Sequence, residues 1–226
     1  MVRENLLKVR ATLPEGVTLV AVSKFHPAQM IQEAYDAGQR VFGESREQEL
    51  RQKVEVLPSD IEWHFIGHLQ TNKVKYIAPY VSLIHSIDSD RLLDEVERQA
   101  VRCGRTISVL LQLHVAQEDT KSGFLPDELF SLLDNTRISE RWPHVCLRGV
   151  MGMASFVDDQ DQWRREFQLI RSTYEQLLSG PLAAQGITRQ QFSVLSFGMS
   201  DDYPVAIQEG SNMVRVGTAI FGERNY

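Results

Sequence analysis

Short apolar runs alternate along the chain with longer amphipathic stretches. The runs are rich in valine, isoleucine, leucine and phenylalanine, a composition that favours β-strands. They are apolar on both faces, as expected of parallel strands that helices cover. Eight strands are predicted, at residues 17–24, 40–44, 62–67, 81–87, 107–115, 147–154, 192–199 and 213–221.

The stretches between these runs repeat apolar residues at helical spacing. Helices are predicted at residues 2–12, 27–37, 45–57, 70–78, 89–102, 126–135, 159–179 and 202–209. Pro27 suits a first helical turn, and Gly38 and Gly104 suit the left-handed position that ends a helix. Ser200, followed by two aspartates, is predicted to cap the helix at 202–209.

Eight strands that alternate with helices predict a (β/α)8 TIM barrel, here a single domain over residues 1–226 with an extra N-terminal helix at 2–12. A doubly wound open sheet is the alternative, but it would carry a glycine fingerprint after its first strand. The turn at 23–27, SKFHP, contains no glycine. In a barrel, functional side chains lie at the carboxyl ends of the strands, so chemistry is expected there.

Composition and charge limit the classes of partner that the protein is expected to bind. The 226-residue chain carries a formal net charge of −6, which offers no basic field for nucleic acid. No apolar run approaches the roughly 20 residues that span a bilayer, and the first residues hold no signal-peptide core. Cys103 and Cys146 form no CxxC pair. We therefore expect a cytoplasmic protein, a monomer, with no membrane and no nucleic-acid partner.

Lys24 ends the first predicted strand, directly after the run VTLVAVS. Val20 and Val22 share its face, so an inward Lys24 would stand at the barrel mouth above an apolar layer. A lysine amine beside apolar walls has a lowered pKa and can form a Schiff base with a carbonyl, either of a substrate or of pyridoxal phosphate. The alternative is an ion pair with Glu44 or another carboxylate at a strand end.

Glycines and hydroxyl residues end the last two predicted strands. Met199 and Ser200 follow a glycine on the seventh, and Gly217 with Thr218 ends the eighth. Loops at these two places are the recurrent phosphate site of barrels, since glycine lets the backbone approach the ligand. The alternative is that the glycines only relieve crowding near the barrel axis. Strand eight closes beside strand one, so a phosphate here would neighbour Lys24, as a lysine-linked pyridoxal phosphate requires.

Arg215 precedes Gly217 by two residues and therefore shares its face of the strand. On that face it could reach the pyridine nitrogen of a bound ring. It could equally pair with an acid such as Glu209 or Glu223, and the sequence leaves both interpretations open.

Two other kinds of site would use residues at strand ends. His64, His85 and His114 end strands three to five and could bind zinc, although metal-dependent barrels of that kind usually begin with an HxH motif on strand one. A cofactor-free Schiff-base aldolase would also use a lysine. Lys121, after strand five, is the nearest alternative to Lys24, and it is predicted as a loop lysine.

Several motifs, in order over nearly the whole chain, resemble the pyridoxal phosphate homeostasis proteins. WHFIG, the GMSDD block and VRVGTAIFG are long enough to be specific. The motifs are AVSK (21–24), FGES-x2-QE (42–49), WHFIGHLQTNK (63–73), HSID (85–88), EDTKSG (118–123), GVMGM (149–153), GMSDDY-x2-AI (198–207) and VRVGTAIFGER-x-Y (214–226).

The resemblance implies a single barrel like the N-terminal domain of alanine racemases, with pyridoxal 5'-phosphate on the lysine that matches Lys24. It implies that Ser200, the Met199 backbone, Gly217 and Thr218 hold the phosphate, and that Arg215 faces the pyridine nitrogen. The family usually has asparagine where this chain has Ser45, and many members have asparagine where it has His114. Contacts to the ring face or its hydroxyl therefore stay open at Ser45 and His114.

The resemblance also implies a role in vitamin B6 and amino-acid balance with little or no catalysis. An arginine that donates to the pyridine nitrogen disfavours its protonation, which weakens the ring as an electron sink. Racemases that share the barrel also use a second domain, and the chain is expected to lack one because it stops at Tyr226. The expectation is a cofactor carrier that supplies or stores pyridoxal phosphate, with apo-enzymes that use this cofactor as candidate partners. The alternative is a small pyridoxal phosphate-dependent racemase, with His64, His85 or His114 as the second proton-transfer group.

Overall fold

A closed barrel of eight parallel strands forms the centre of the protein. The computed structural model describes residues 1–115 and 122–223. The strands are β1 (Thr18–Val22), β2 (Val41–Glu44), β3 (Glu62–Phe65), β4 (Leu83–Ile87), β5 (Ile107–Gln112), β6 (Val145–Met151), β7 (Val194–Ser196) and β8 (Met213–Val216). Each strand pairs with its neighbours in chain order, and β8 closes on β1, where Thr18 pairs with Met213 and Ala21 with Val216. The predicted (β/α)8 barrel is confirmed.

Helices surround the barrel and connect successive strands. They are α1 (Val2–Ala11), α2 (Ala28–Asp36), α3 (Glu47–Val56), α4 (Val74–Ile77), α5 (Asp90–Cys103), α6 (Pro126–Asp134), α7 (Ile138–Arg141), α8 (Gln160–Ser179), α9 (Pro181–Ala184), α10 (Tyr203–Gln208) and α11 (Thr218–Phe221). The extra N-terminal helix is therefore also confirmed. None of the helices in the described part of the chain is long and apolar enough to cross a bilayer.

Helix α1 packs beside the seam where the last strand, β8, pairs with the first, β1. It buries Val2, Leu6 and Val9, which lie on one face because they are three or four residues apart. The Asn5 side-chain amide donates to Ile220 O in α11 at 3.2 Å, which ties the helix to the closing segment of the chain. Helix α1 therefore fixes the elements that flank the β1–β8 seam.

The barrel has two apolar regions. The larger lies between the outer faces of the strands and the helices. The smaller fills the barrel interior, where its buried members come from five strands: Val20, Leu83, Leu110, Met151 and Met213. Strand side chains alternate between faces, so the residue two positions later again points into the barrel. On β4, β5 and β8 that residue is polar and buried: His85, Gln112 and Arg215. On β7 the buried Ser196 likewise follows by two residues Val194, which is partly buried against the same cluster.

Several predicted boundaries are wrong at the carboxyl ends of strands. β1 ends at Val22, so Lys24 lies in the turn that follows. β8 ends at Val216, and the apolar run after Gly217 forms α11, whose Ile220 and Phe221 are buried. Apolar content alone did not distinguish a strand from a short buried helix, because both bury their side chains.

Two further predictions about helices need correction. The stretch predicted as a helix at 70–78 is a 3₁₀ turn, Thr71–Lys73, followed by the short α4. Ser200 does not cap α10, because that helix begins at Tyr203 with Asp202 at its N-cap. Lys121, most of the EDTKSG motif and Tyr226 lie outside the described residues.

A substitution at Gly149 tests how closely β6 and β7 pack. A Cβ on Gly149 in β6 would lie 1.8 Å from Val194 O in β7, so alanine there must push the two strands apart. We expect Gly149→Ala to lower the free energy of unfolding by about 3 kcal/mol or more, measured by urea denaturation. Gly104→Ala is the control. Gly104 has a φ of +61° with no atom within 4 Å of an added Cβ, and its loss should cost only about 1 kcal/mol. Equal losses of stability in the two variants would contradict this account of the contact between β6 and β7.

Candidate functional site

The predicted site residues lie at the carboxyl ends of β1, β2, β7 and β8. The structure brings those of the last two strands together, since Gly217 N donates to Ser200 Oγ at 3.4 Å. It also brings them to β1, because a Cβ on Gly217 would lie 3.2 Å from Val22 Cβ. Lys24 is half-buried two residues beyond Val22. Lys24, Ser200 and Gly217 therefore occupy one region of the barrel mouth.

Ser45 lies on the other side of β1, just after β2. It is half-buried, and Gly67 packs directly against it, since a Cβ on Gly67 would lie 2.5 Å from Ser45 O. His114 follows β5 and is half-buried, with its backbone N–H donating to Phe124 O at 2.9 Å. The described contacts join neither residue to Ser200 or Gly217, so the ring contacts expected near them stay a prediction.

Lys24 stands in an unusual turn. The next residue, Phe25, has a φ of +67°, in the left-handed region that residues other than glycine seldom adopt. Phe25 N donates to Glu49 Oε2 in α3 at 2.8 Å. The Arg46 guanidinium lies 4.5 Å from the centre of the Phe25 ring. The turn is therefore held by α3 as well as by β1.

A buried charge cluster lies behind this turn. Lys53 Nζ donates to Glu44 Oε1 at 2.7 Å and to Ser23 O at 2.9 Å. Ser23 Oγ donates to the same Glu44 oxygen at 2.5 Å. Burial raises the pKa of Glu44 to about 7, although the charge and hydrogen bond of Lys53 act in the opposite direction. The cation that pairs with Glu44 is thus Lys53, where the sequence had suggested Lys24 as an alternative.

A hydrogen-bonded chain crosses the barrel interior below the mouth. Arg215 donates from Nη1 to Ser196 O and Oγ, both at 2.8 Å, and from Nη2 to Gly152 O at 3.0 Å. Ser196 Oγ lies 3.1 Å from His85 Nδ1, and His85 Nε2 lies 3.0 Å from His64 Nδ1. The chain therefore joins β8, β7, β4 and β3.

In a proton assignment that satisfies these contacts, the series begins at the guanidinium, which can only donate. Ser196 Oγ then accepts from Arg215 and donates its own hydrogen to His85 Nδ1. His85 then carries its proton on Nε2 and donates to His64 Nδ1, which leaves the His64 proton on Nε2. This arrangement satisfies all the side-chain contacts with two neutral histidines.

The pKa values agree with that assignment. Burial lowers the pKa of His64 to about 3, and burial with the charges of His64 and Arg215 lowers the pKa of His85. Burial also lowers the pKa of Arg215 to about 10, against the opposing charge of Asp202. At neutral pH the interior therefore holds one cation and two neutral rings. Arg215 donates its hydrogen bonds to carbonyl and hydroxyl oxygens, with no carboxylate among the contacts described.

The predicted phosphate region has one feature that the sequence did not indicate. Met199 N donates to Asp202 Oδ1 at 2.5 Å, and Asp202 is buried while Asp201 is exposed. Burial raises the pKa of Asp202, although the Met199 hydrogen bond and the Arg215 charge act against it. A phosphate bound through the Met199 backbone would have to share or replace this contact.

A cavity of about 300 Å³ opens beside this region. Its walls come from the loop after β6, Trp163 and the segment after β7, and they include Met199 and Asp202 but not Lys24. The arrangement expected at the mouth is that of a phosphate-bearing aldehyde. A lysine amine, a fixed guanidinium and the hydroxyls of Ser200 and Thr218 are the donor types that such a molecule needs. The residues present therefore fit pyridoxal phosphate.

The zinc alternative does not fit the histidines. His64 and His85 hydrogen-bond to each other inside the barrel, while the His114 backbone pairs with Phe124 in the loop after β5. Over residues 1–115 and 122–223, no three histidine, cysteine, aspartate or glutamate side chains are grouped to hold a metal ion.

Sequence reasoning missed Lys53 and Ser196. Lys53 lies on the buried face of α3, three residues after Leu50. A charged residue on an apolar helical stripe was therefore the available signal, because lysine is seldom fully buried unless it is paired. Ser196 carried no comparable signal, since a serine in a strand is common and its partners come from distant strands.

The two buried histidines predict how stability depends on pH. The pKa of His64 is about 3 in the folded protein and near 6.5 when unfolded. Its contribution is therefore complete above pH 6.5 and is lost as the pH falls towards 3, by about 1.4 kcal/mol per pH unit. We expect His64→Gln to reduce the slope of unfolding free energy between pH 4 and 6 by about that amount, measured by urea denaturation at several pH values. An unchanged slope would mean that His64 titrates normally in the fold.

Comparison with known proteins agrees with this geometry. The family model "Alanine racemase, N-terminal domain" matches residues 1–225. The chain is 39% identical over 221 residues to the pyridoxal phosphate homeostasis protein of Pasteurella multocida, which covers 96% of this chain and 91% of that protein. The corresponding protein of Escherichia coli is 38% identical over 217 residues, which covers 94% of this chain and 88% of that protein.

Solved structures give the same relationship. PipY of Synechococcus elongatus, in its structure with pyridoxal phosphate bound, matches with a TM-score of 0.84 and 34% identity, over 98% of this chain and 100% of that chain. Alanine racemase of Streptomyces coelicolor matches with a TM-score of 0.74 at 19% identity, over 98% of this chain and 57% of that chain, which is a likeness of fold alone. The chain therefore belongs to the family of the alanine racemase N-terminal domain and, within it, to the pyridoxal phosphate homeostasis proteins.

Proposed function

We propose that this protein binds pyridoxal 5'-phosphate as a Schiff base on Lys24 and serves intracellular vitamin B6 homeostasis with little or no catalysis. The observation that carries the proposal is the buried Arg215, a cation whose hydrogen-bond partners among the described residues are carbonyl and hydroxyl oxygens. It lies on β8, the strand that pairs with β1 just before Lys24. The name of the Pasteurella multocida relative and the pyridoxal phosphate bound to PipY support the same cofactor.

Each proposed role follows from the chemistry of one group. The Lys24 amine condenses with the aldehyde and releases water. Ser200 and Thr218 offer hydroxyls to the phosphate, and Gly217, with the Met199 backbone, allows close approach to it. Met199 N must then share its hydrogen bond to Asp202 with the phosphate or exchange it for one to the phosphate. Arg215 faces the pyridine nitrogen, and Ser45 lies on the ring side of the site.

The proposed lack of catalysis rests on proton positions. The bound cofactor supplies an electron sink for carbanions when its ring nitrogen is protonated. Arg215 has a pKa of about 10, keeps its proton at neutral pH and can only donate, so it favours an unprotonated nitrogen. His85 is unsuited to act as the second base of a racemase, because both of its ring nitrogens are already hydrogen-bonded inside the barrel.

The proposal also covers the recipients of the cofactor, the cellular compartment and the oligomeric state. Apo-enzymes that use pyridoxal phosphate are the proposed recipients of the cofactor. We place the protein in the cytoplasm as a monomer, consistent with its charge and with the two cysteines, which form no disulfide.

The first test is the colour of the protein. Purified protein incubated with pyridoxal phosphate should show a visible absorbance band that borohydride bleaches, and mass mapping should then find a pyridoxyl phosphate group on the Lys24 peptide. Lys24→Ala should show no such band. Lys8→Ala is the control, because Lys8 is an exposed lysine paired only with Glu4 on α1. A colourless wild type, or an unmodified Lys24 peptide, would contradict the proposal.

A second assay separates the carrier from the racemase alternative. The loaded protein, incubated with L-alanine, should produce D-alanine no faster than free pyridoxal phosphate at the same concentration. Racemisation that exceeds this background and disappears in Lys24→Ala would favour the enzyme.

A further inference from the structure

The turn that carries Lys24 is held from outside β1. Phe25, at a φ of +67°, needs surroundings that compensate for an unfavourable backbone conformation. Those surroundings are two side chains of α3, Glu49 and Lys53. Neither belongs to the cofactor site proposed above, and both contact the main chain immediately beside Lys24.

Both peptide groups that flank Lys24 are bound to this pair. The carbonyl of Ser23, which belongs to the peptide bond before Lys24, accepts from Lys53 Nζ at 2.9 Å. The N–H of Phe25, which belongs to the peptide bond after Lys24, donates to Glu49 Oε2 at 2.8 Å. Fixing both peptide planes fixes the two backbone dihedrals of Lys24. The direction in which its side chain leaves the backbone is then set.

The two side chains also hold each other. Lys53 Nζ donates to Glu49 Oε2 at 3.2 Å and to Glu44 at the end of β2 at 2.7 Å. The Lys53 side chain is 8% exposed and that of Glu44 is fully buried, so the cluster works in a region of weak solvent screening. Charge-assisted hydrogen bonds of this kind are about twice as strong as neutral ones.

The placement of this cluster indicates a role beyond stabilising the fold. Burying charged groups is costly, and apolar residues of the same size often stabilise a core as well or better. Leu50 already buries the same helix against the barrel. Apolar side chains, however, could not hydrogen-bond to the Ser23 carbonyl and the Phe25 N–H on either side of Lys24.

We propose that Lys53 and Glu49 are positioning residues for Lys24, which hold its amine towards the cofactor and strengthen the binding of the cofactor. The expected effect on pyridoxal phosphate binding rests on the proposed function. The two hydrogen bonds that hold the turn are independent of any ligand. The proposal concerns residues that touch neither the aldehyde nor the phosphate.

Helix α3 supplies a matched control. Glu47 lies two residues before Glu49 and also pairs with a lysine, Lys73, at 2.5 Å. Its side chain is 15% exposed, against 20% for Glu49. Only Glu49 also accepts a backbone N–H from the Lys24 turn. Glu47→Ala and Glu49→Ala therefore remove the same group from the same helix, with and without the clamp.

The first measurement needs no cofactor. Amide hydrogen exchange at Phe25 should be slow in the wild type and in Glu47→Ala, and about tenfold or more faster in Glu49→Ala. Glu49→Gln should restore protection, because one side-chain oxygen can still accept from both Phe25 and Lys53, as Oε2 does. Unfolding by urea is followed in parallel, so that a general loss of stability is recognised.

The second measurement is titration with pyridoxal phosphate, followed by the visible absorbance band. Glu49→Ala should bind about tenfold more weakly, and Glu47→Ala within about twofold of the wild type. If Glu49→Ala does not fold, Glu49→Asp keeps the charge, shortens the reach and should show the same two losses. If the alanine or aspartate variant has wild-type exchange at Phe25 and wild-type binding, the proposal is wrong. A wild type that binds no pyridoxal phosphate refutes the proposed function instead, while the exchange data still decide the clamp.

Discussion

A closed barrel must fill its interior with its own side chains, and this requirement decides where chemistry is possible. In this protein the lower interior is apolar. Two residues further along four strands, the inward side chains become polar. A step of two residues keeps the same face and moves roughly 7 Å towards the carboxyl end. The apolar layer thus closes the barrel from below, and the polar layer becomes the floor of the candidate site.

The two buried cations of this region differ in their partners. Lys53 meets the carboxylates of Glu44 and Glu49, and its charge is balanced within the cluster. Arg215 meets carbonyl and hydroxyl oxygens, and the charge that acts on it comes from Asp202 without a described contact. A balanced cation suits a structural clamp, whereas an unbalanced one suits an acceptor brought by a ligand. The two buried cations therefore differ in the number of carboxylates that they contact, which is consistent with the different roles proposed for them.

Much of the fold followed from the chain alone. Alternating apolar runs and helical stretches predicted the eight strands and the N-terminal helix, because each pattern must bury its apolar face. Besides the helix at 70–78 and the cap at Ser200, the errors lie at the carboxyl ends of strands, at Lys24 and after Gly217. There the path of the chain also depends on distant contacts, such as the hydrogen bond from Phe25 N to Glu49 Oε2. The site residues were named from strand ends and from a family resemblance. Their grouping at the β1–β8 seam needed the closed barrel.

The sequence by itself determined the barrel, the lysine after the first strand and the hydroxyl and glycine residues after the last two, since these depend on local pattern and order. Only the tertiary structure decided which charges meet. It paired Glu44 with Lys53, joined Ser196, His85 and His64 by hydrogen bonds, and bound both peptide groups beside Lys24 to α3. Hydrogen bonds and ion pairs act over a few ångströms, and residues far apart in sequence reach that distance only when the barrel has closed.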